Sequence, residues 1–480
     1  MKECKNDMSY RLIYFLLYVP CFLIGRNLDN DIWFILNSGR YVIHNGIPYI
    51  EPFTIHQGMS LVMQQWLSAI IFWDFYCILG NFGLILIVIL VYIFFVYMVF
   101  KLAMLMSDGN FWVSYTISYM VVFLIRIFMV QRPYIFLFVI IVFELYLLEK
   151  YIKFNKFIYI LPLLILSVLL INLEAAMWPM LFVIMIPYII DSFKFKFSFI
   201  KGQGYSKKNI LLITLGMFFV GLINPYGIKA ITYLFTSYGA DELSIIMEMS
   251  PINVNTFLGK LMLMTVLLVY LSFVIFKNKS SKLRYYLLAI GTTYMTFSSV
   301  RNYSIFIICS IIPLSYYFKD FNFNKFENKN DKKTLFIRKI LISLLVVLVV
   351  VILIFINNIK SNSAHQDLVK CVNYLDRYNK SDIKLYTGFN DGGYLEFRGF
   401  KVYIDPRADV FLKSNNKTYD IMKEFVELYS GKIYYKTVLD KYNFNFLLVE
   451  KNDILYNYLD HDKDYKLIYS SGTYKVYQLK

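Results

Sequence analysis

The chain has 480 residues, of which 58% are hydrophobic and only 17% charged, and its formal charge is +16. A soluble domain is nearer half apolar and a quarter charged, so the composition excludes an ordinary soluble enzyme. Most of the excess lysine and arginine sits in short loops between apolar runs, which points to a membrane topology signal rather than to nucleic acid as partner.

The apolar runs set the element count. Runs of roughly 18 or more apolar residues read as membrane spans, and candidates fall at roughly 11–25, 82–106, 111–130, 133–149, 157–171, 175–190, 209–223, 256–276, 284–299, 303–318 and 338–358. About eleven transmembrane helices are therefore expected. Met1 to Arg11 followed by an apolar run resembles a signal peptide, but no small-residue cleavage site follows, so the first span is read as uncleaved. The five cysteines (Cys4, Cys21, Cys77, Cys309 and Cys371) lack C-x-x-C spacing and indicate neither a disulfide framework nor a zinc site. Abundant Lys, Asn, Ile, Tyr and Phe with scarce Ala and Arg read as an AT-rich, bacterial genome.

Orientation follows from the basic residues. One set of loops holds Lys150, Lys153 and Lys156, then Lys207 and Lys208, then Lys282 and Arg284, then Lys319 and Lys325. The alternate loops hold few. The expected arrangement is a multi-pass protein of the cell (cytoplasmic) membrane with a cytoplasmic N-terminus.

The first outer loop, 26–81, is long, and Trp33 to Ile43 and Gln65 to Leu79 carry apolar residues at helical spacing. Both can lie along the membrane surface. The composition changes sharply near residue 360. The tail reads as a helix near 364–378, strands at Ile383–Tyr386, Tyr394–Phe397 and Val402–Ile404, helices near 417–430 and 433–441, and strands at Phe444–Val449, Tyr465–Tyr469 and Tyr474–Leu479. The expected fold class is thus an α-helical polytopic membrane protein, with membrane-surface helices in its first outer loop, plus a small C-terminal extracytoplasmic α/β domain. The domain boundary falls between 358 and 359.

Polar residues with chemical potential collect at the outer span boundaries. Asp29 and Asp31 lie two apart just outside the first span. A carboxylate there can act as general base on an acceptor hydroxyl, and paired carboxylates can hold a divalent cation. Arg132 and Arg301 offer always-charged forks for phosphate oxygens. Glu51, Gln65, Asn172, Glu174, Asn224, Glu248 and Asn302 are further candidates at the same boundaries. Plainer readings stand beside these: a D-x-D tripeptide arises readily by chance, Arg132 can anchor at headgroup level, and Asn224-Pro225-Tyr226-Gly227 supplies ordinary turn chemistry. In the tail, Gly392-Gly393 can form a hairpin turn. Asp405, Arg407 and Asp409 alternate along an extended segment, so all three can face one side, as a sugar-binding surface or as a structural ion-pair network.

The ordered set Asp31-x-Trp33, Gly39-Arg40, Gly46-Ile47-Pro48, Glu51-Pro52-Phe53-Thr54 and Gln65-Trp66-Leu67 resembles the first outer loop of bacterial proteins related to the glycosyltransferase C superfamily. The resemblance continues through Arg132-Pro133, Asn172-Leu173, Asn224-Pro225-Tyr226-Gly227, Arg301-Asn302, the tail run Asn390-Asp391-Gly392-Gly393-Tyr394 and Asp405-Pro406-Arg407-Ala408-Asp409. That superfamily includes the dolichyl-phosphate mannosyltransferases and the oligosaccharyltransferases. The resemblance implies transfer of a sugar from a polyprenyl-phosphate-linked donor, taken from among the membrane lipids, to an envelope glycan, lipid or protein acceptor. It implies Asp31 as catalytic carboxylate with Asp29 as its partner or as ligand of a possible divalent cation (Mg or Mn), and Arg132 and Arg301 on the donor phosphate. Asp391, Tyr394, Asp405, Arg407 and Asp409 become tail-domain candidates for acceptor recognition. Related sequences often have His where this chain has Glu174, and His-Glu where it has Gln64-Gln65, a departure that goes with a different acceptor, a different metal requirement or lost activity. A lipid-linked glycan transporter or flippase, and a non-catalytic envelope scaffold, are the alternatives from other classes.

Overall fold

The computed structural model describes residues 13–24, 28–193, 196–197, 200–202, 204–237, 250–276, 281–321 and 363–480. The chain is mostly helical and clusters into two compact units. One contains residues 1–26, 85–224 and 246–359, and the other residues 27–84, 225–245 and 360–480. The tail expected at 359–480 thus clusters together with residues 27–84 and 225–245.

In chain order the main helices are α1 (Ile32–Asn45), α2 (Trp66–Leu79), α3 (Asn81–Met106), α4 (Phe111–Ile125), α5 (Tyr134–Phe154), α6 (Pro162–Leu173), α7 (Pro179–Asp191), α8 (Lys207–Val220), α9 (Ile228–Ser237), α10 (Phe257–Ile275), α11 (Leu283–Ser298) and α12 (Tyr303–Phe318). The tail adds α13 (Ser363–Leu375), α14 (Gly392–Phe397), α15 (Ile421–Tyr429) and α16 (Tyr435–Tyr442), with strands β1 (Leu385–Thr387), β2 (Phe446–Glu450), β3 (Tyr465–Ser471) and β4 (Tyr474–Leu479).

Among the described residues, three helical stretches are long and apolar enough to cross a membrane: Asn81–Met106, Phe111–Phe128 and Phe257–Ile275. They make this a membrane protein. The expected count of eleven is not reproduced. Several apolar runs that the sequence offers as spans are shorter helices, such as Phe157–Leu173 and Ala175–Asp191. There a 3-10 turn at Phe157–Tyr159 precedes Pro162, and the chain breaks again at Glu174, where φ is −159°. Proline sits readily at a helix start because its missing N–H has no intrahelical partner to lose. The run at 338–358 lies outside the described residues.

In the helical unit, Arg284 at the start of α11 ties three helix ends together. It donates through Nε and Nη2 to Glu149 at 2.7 and 2.8 Å and through Nη1 to Asp191 at 2.9 Å. Asp108, in the turn between α3 and α4, accepts from Lys153 at 2.7 Å and Lys319 at 2.9 Å. Lys153 and Lys319 thus meet Asp108 at the C-terminal ends of α5 and α12, while Arg132 and Arg301 precede the N-terminal ends of these helices.

In the other unit, the tail sheet has the order β1-β2-β4-β3, with β1 and β2 parallel and the remaining pairs antiparallel. Val402 extends it: the residue bridges in parallel to Leu385 on one side and to Thr54 on the other. The first loop therefore supplies the outermost rung of the tail's own sheet. The Val402–Ile404 strand expected from sequence reduces to this bridge. The strand expected at Tyr394–Phe397 is instead helix α14, and Gly392-Gly393 form its first turn rather than a hairpin. Tertiary packing overrides the β-propensity of the aromatic residues. A Cβ at Gly392 would lie 2.0 Å from the Ile404 carbonyl oxygen, and one at Gly393 would lie 3.3 Å from Phe34 of α1, so the glycines let this turn press against both neighbours.

Candidate active site

The carboxylate pair opens α1. Asp29 Oδ1 accepts the Asp31 backbone N–H at 3.0 Å, and the Asp31 carbonyl accepts from Ile35. Asp31 is the N-cap residue, but its carboxylate does not cap the helix. Asp29 therefore fixes the turn that opens α1, and both residues are partly exposed. Behind them, Trp33 packs edge-on against Tyr394 at 5.0 Å and stacks on His365 at 5.7 Å and 8°. Arg40 donates to the Phe397 carbonyl at 3.1 Å and lies over the Phe397 ring. Gly39 lets α1 and α2 approach closely, since a Cβ there would lie 2.2 Å from the Ala69 carbonyl oxygen. The helix that starts at the acidic pair is thus held from two sides.

The deepest charged group in this unit is Arg407. Its Nε and Nη2 fork Asp405 at 2.9 and 2.5 Å, its Nη1 and Nη2 fork Glu51 at 2.9 and 3.2 Å, and Glu396 lies 3.5 Å from Nη2. All four side chains are buried. Burial pushes the Glu396 carboxyl well above the usual carboxylate range, with Asp405 adding repulsion and Arg407 opposing. Burial also raises Glu51, against the pull of Arg407. The three acidic partners hold the guanidinium charged despite its own burial. Of the two readings of the alternating tail residues, the ion-pair network is what Asp405 and Arg407 form. The alternation ends there, because Ala408–Phe411 is a 3-10 helix. Asp409 instead accepts from Gln64 Nε2 at 2.7 Å, and burial raises its carboxyl. Gln65, the neighbouring candidate, is the N-cap residue of α2.

Sequence reading missed Glu396, whose only signal is an isolated acid inside the apolar stretch Gly393-Tyr394-Leu395-Glu396-Phe397. Tyr394 accepts from Arg398 Nη1 at 2.8 Å. Asp391 accepts the Tyr474 hydroxyl at 2.9 Å. Burial, with Glu450 and Asp453 adding repulsion against that bond, pushes its carboxyl up to about 7. Because this folded value exceeds the unfolded one, the fold accommodates the neutral acid. The contribution is whole below about pH 4 and is lost as pH rises through about 7. The purified protein is expected to lose part of its resistance to chemical denaturation between about pH 5 and pH 8, and Asp391→Asn is expected to flatten that loss. Parallel pH profiles for the two proteins would show that Asp391 is not the responsible group.

In the helical unit, the candidate phosphate-binding residues Arg132 and Arg301 precede the N-terminal ends of α5 and α12. Arg132 lies two residues before Tyr134, and the Arg301 guanidinium sits 4.2 Å above the Tyr134 ring. Asn302 donates to the Met295 carbonyl at 3.2 Å, which secures the 3-10 turn carrying Arg301. Asn172 donates to the carbonyls of Val168 and Ile223 at 2.8 and 2.9 Å, and Asn224 to that of Gly221 at 2.8 Å. Asn172 therefore joins two chain segments, and the buried Glu174 closes α6 as its C-cap residue. Glu248 lies outside the described residues.

No group of three or more His, Cys, Asp or Glu side chains placed to hold a metal ion occurs among the described residues. Asp29 and Asp31 are two carboxylates, and one oxygen of Asp29 is already engaged by the backbone. Mg is commonly held by one or two carboxylates with waters and substrate phosphates completing its shell, so the pair fits such an ion in kind, and no chemical step is assigned to a metal here.

No family model matches the chain, and no curated protein is significantly similar to it. Solved structures do match. The Archaeoglobus fulgidus oligosaccharyltransferase tethered with an acceptor peptide containing the NVT sequon via a disulfide bond aligns with a TM-score of 0.59 at 12% identity, over 93% of this chain and 69% of that one. Its apo form gives 0.57 at 11% over 94% and 70%, and its complex with Zn and sulfate gives 0.56 at 11% over 92% and 68%. At these identities the likeness establishes the fold alone, which this chain shares with the archaeal enzyme.

Proposed function

We propose that the chain is a membrane glycosyltransferase. It moves a sugar from a polyprenyl-phosphate-linked donor to an envelope glycan, lipid or protein acceptor outside the cytoplasm, in the cell membrane of a bacterium. The observation that carries this reading is the fold, shared along nearly the whole chain with an oligosaccharyltransferase. The chemistry is assigned to the acidic turn at the head of α1 and to Arg132 and Arg301.

In the transfer, the bond from the sugar's anomeric carbon to the donor phosphate oxygen breaks. A bond from the acceptor oxygen or nitrogen to the same carbon forms. Asp31 takes the acceptor's proton as general base, and Asp29 positions Asp31 through its backbone N–H. The leaving polyprenyl phosphate keeps the electron pair, and Arg132 and Arg301 neutralise its charge. Charge-assisted hydrogen bonds contribute about 1.5–3 kcal/mol each. Arg301→Ala is therefore expected to reduce transfer about 10–100-fold while the protein still accumulates in the membrane.

The decisive experiment is mass spectrometry of lipid-linked intermediates and envelope glycans in a deletion strain. Loss of one decoration with accumulation of its lipid-linked donor supports the reading and names the sugar. Unchanged glycans and intermediates would overturn it.

A further inference from the structure

The tail carries a cleft of about 500 Å³ that the transfer step does not use. It lies between the end of α15, the following turn, the start of α16 and the short helix Leu455–Tyr458. Its walls include Gly431, Ile433, Tyr434, Tyr435, Ile454 and Tyr458. Gly431 has φ +69°, and a Cβ there would press within 3.2 Å of Ile454 Cδ1. A side chain at this position would be strained and would narrow the cleft.

The cleft presents aromatic faces to solvent. Tyr434 is 63% exposed and Tyr458 53%. Tyr435 lies parallel to Tyr458 at 5.9 Å and 8°, with Tyr434 inclined to it at 5.1 Å. The platform is secured from behind, because the Tyr435 hydroxyl donates to Asp462 Oδ2 at 2.7 Å and Asp462 also pairs with Lys436. Tyr435 is thus held in place, and Tyr434 and Tyr458, packed beside it, stay open.

Rigid tyrosines lose little conformational entropy on binding and offer an apolar face with a polar rim. That combination matches a pyranose ring, which has a face of C–H groups and hydroxyls around its edge. An apolar peptide or acyl chain would cover the faces but leave the rim hydroxyls without partners. We propose that this cleft is a carbohydrate subsite that seats pyranose rings of a glycan acceptor on Tyr434 and Tyr458. The proposal rests on the glycosyltransferase reading only for naming the acceptor as the occupant.

The test is saturation-transfer NMR and titration of the full-length protein in lipid nanodiscs, with linear hexasaccharides of glucose, galactose, mannose and N-acetylglucosamine as probes. At least one should bind in the millimolar range or tighter. Tyr434→Ala and Tyr458→Ala should each weaken it about tenfold or more, and Asp31→Asn should leave it unchanged. Both tyrosines are exposed, and unchanged thermal melting checks that the variants fold. Failure of every hexasaccharide to bind, binding indifferent to both substitutions, or preference for an apolar peptide would overturn the proposal. Transfer is scored separately by donor accumulation in the deletion strain. Transfer without hexasaccharide binding would remove the cleft alone, and binding without transfer would remove the transferase alone.

Discussion

Arg407→Met is expected to destabilise the unit that contains the tail by about 3–5 kcal/mol, because it leaves buried carboxylates without their counter-charge. A domain has only about 5–15 kcal/mol in total, so the variant should accumulate poorly and be cut rapidly by protease. Arg407→Lys should recover little. A single ammonium cannot fork Asp405 and Glu51 at once, as the planar guanidinium does. Neutralising the partners together, in Glu51→Gln/Asp405→Asn/Arg407→Met, should restore a large part of the loss, since the uncompensated charge goes with them. Abundance and protease resistance of the four proteins decide the matter. Wild-type behaviour of Arg407→Met would mean that the cluster does not hold the first loop in this unit.

Asp31→Asn is expected to reduce transfer about 10²–10⁴-fold, the usual contribution of a positioned general base, while abundance stays at the wild-type level. The side chain is partly exposed and does not cap α1, and asparagine keeps its shape. Asp29→Asn should be milder, because an amide oxygen can still accept the Asp31 N–H, whereas Asp29→Ala should loosen the turn and lower activity further. Complementation of the deletion strain, read by donor accumulation and glycan mass spectrometry, separates these outcomes. Full repair by Asp31→Asn would show that Asp31 is not the base and would favour the scaffold account.

Much of the local structure was legible in the sequence. The helices expected at Trp33–Ile43 and Gln65–Leu79 are α1 and α2, and most tail elements lie within a few residues of their expected places. Periodicity and turn chemistry report local hydrogen bonding, and that is where they succeed. They failed at α14, where aromatic residues suggest a strand but Gly392 and Gly393 allow a helical turn to pack on Ile404 and Phe34. Among the described residues the expected number of spans is not reproduced, because an apolar run does not reveal where a proline or 3-10 turn will divide it.

The sequence by itself determined a membrane protein with long apolar helices, an acidic turn in its first loop and a mixed α/β tail. Only the tertiary structure decided that Glu51 pairs with Arg407 across 356 residues, that Thr54 extends the tail's sheet through Val402, and that Arg301 lies over the Tyr134 ring. The physical reason is the same each time. A buried charge or an open strand edge must find a partner, but chain folding, not sequence spacing, selects which one it meets.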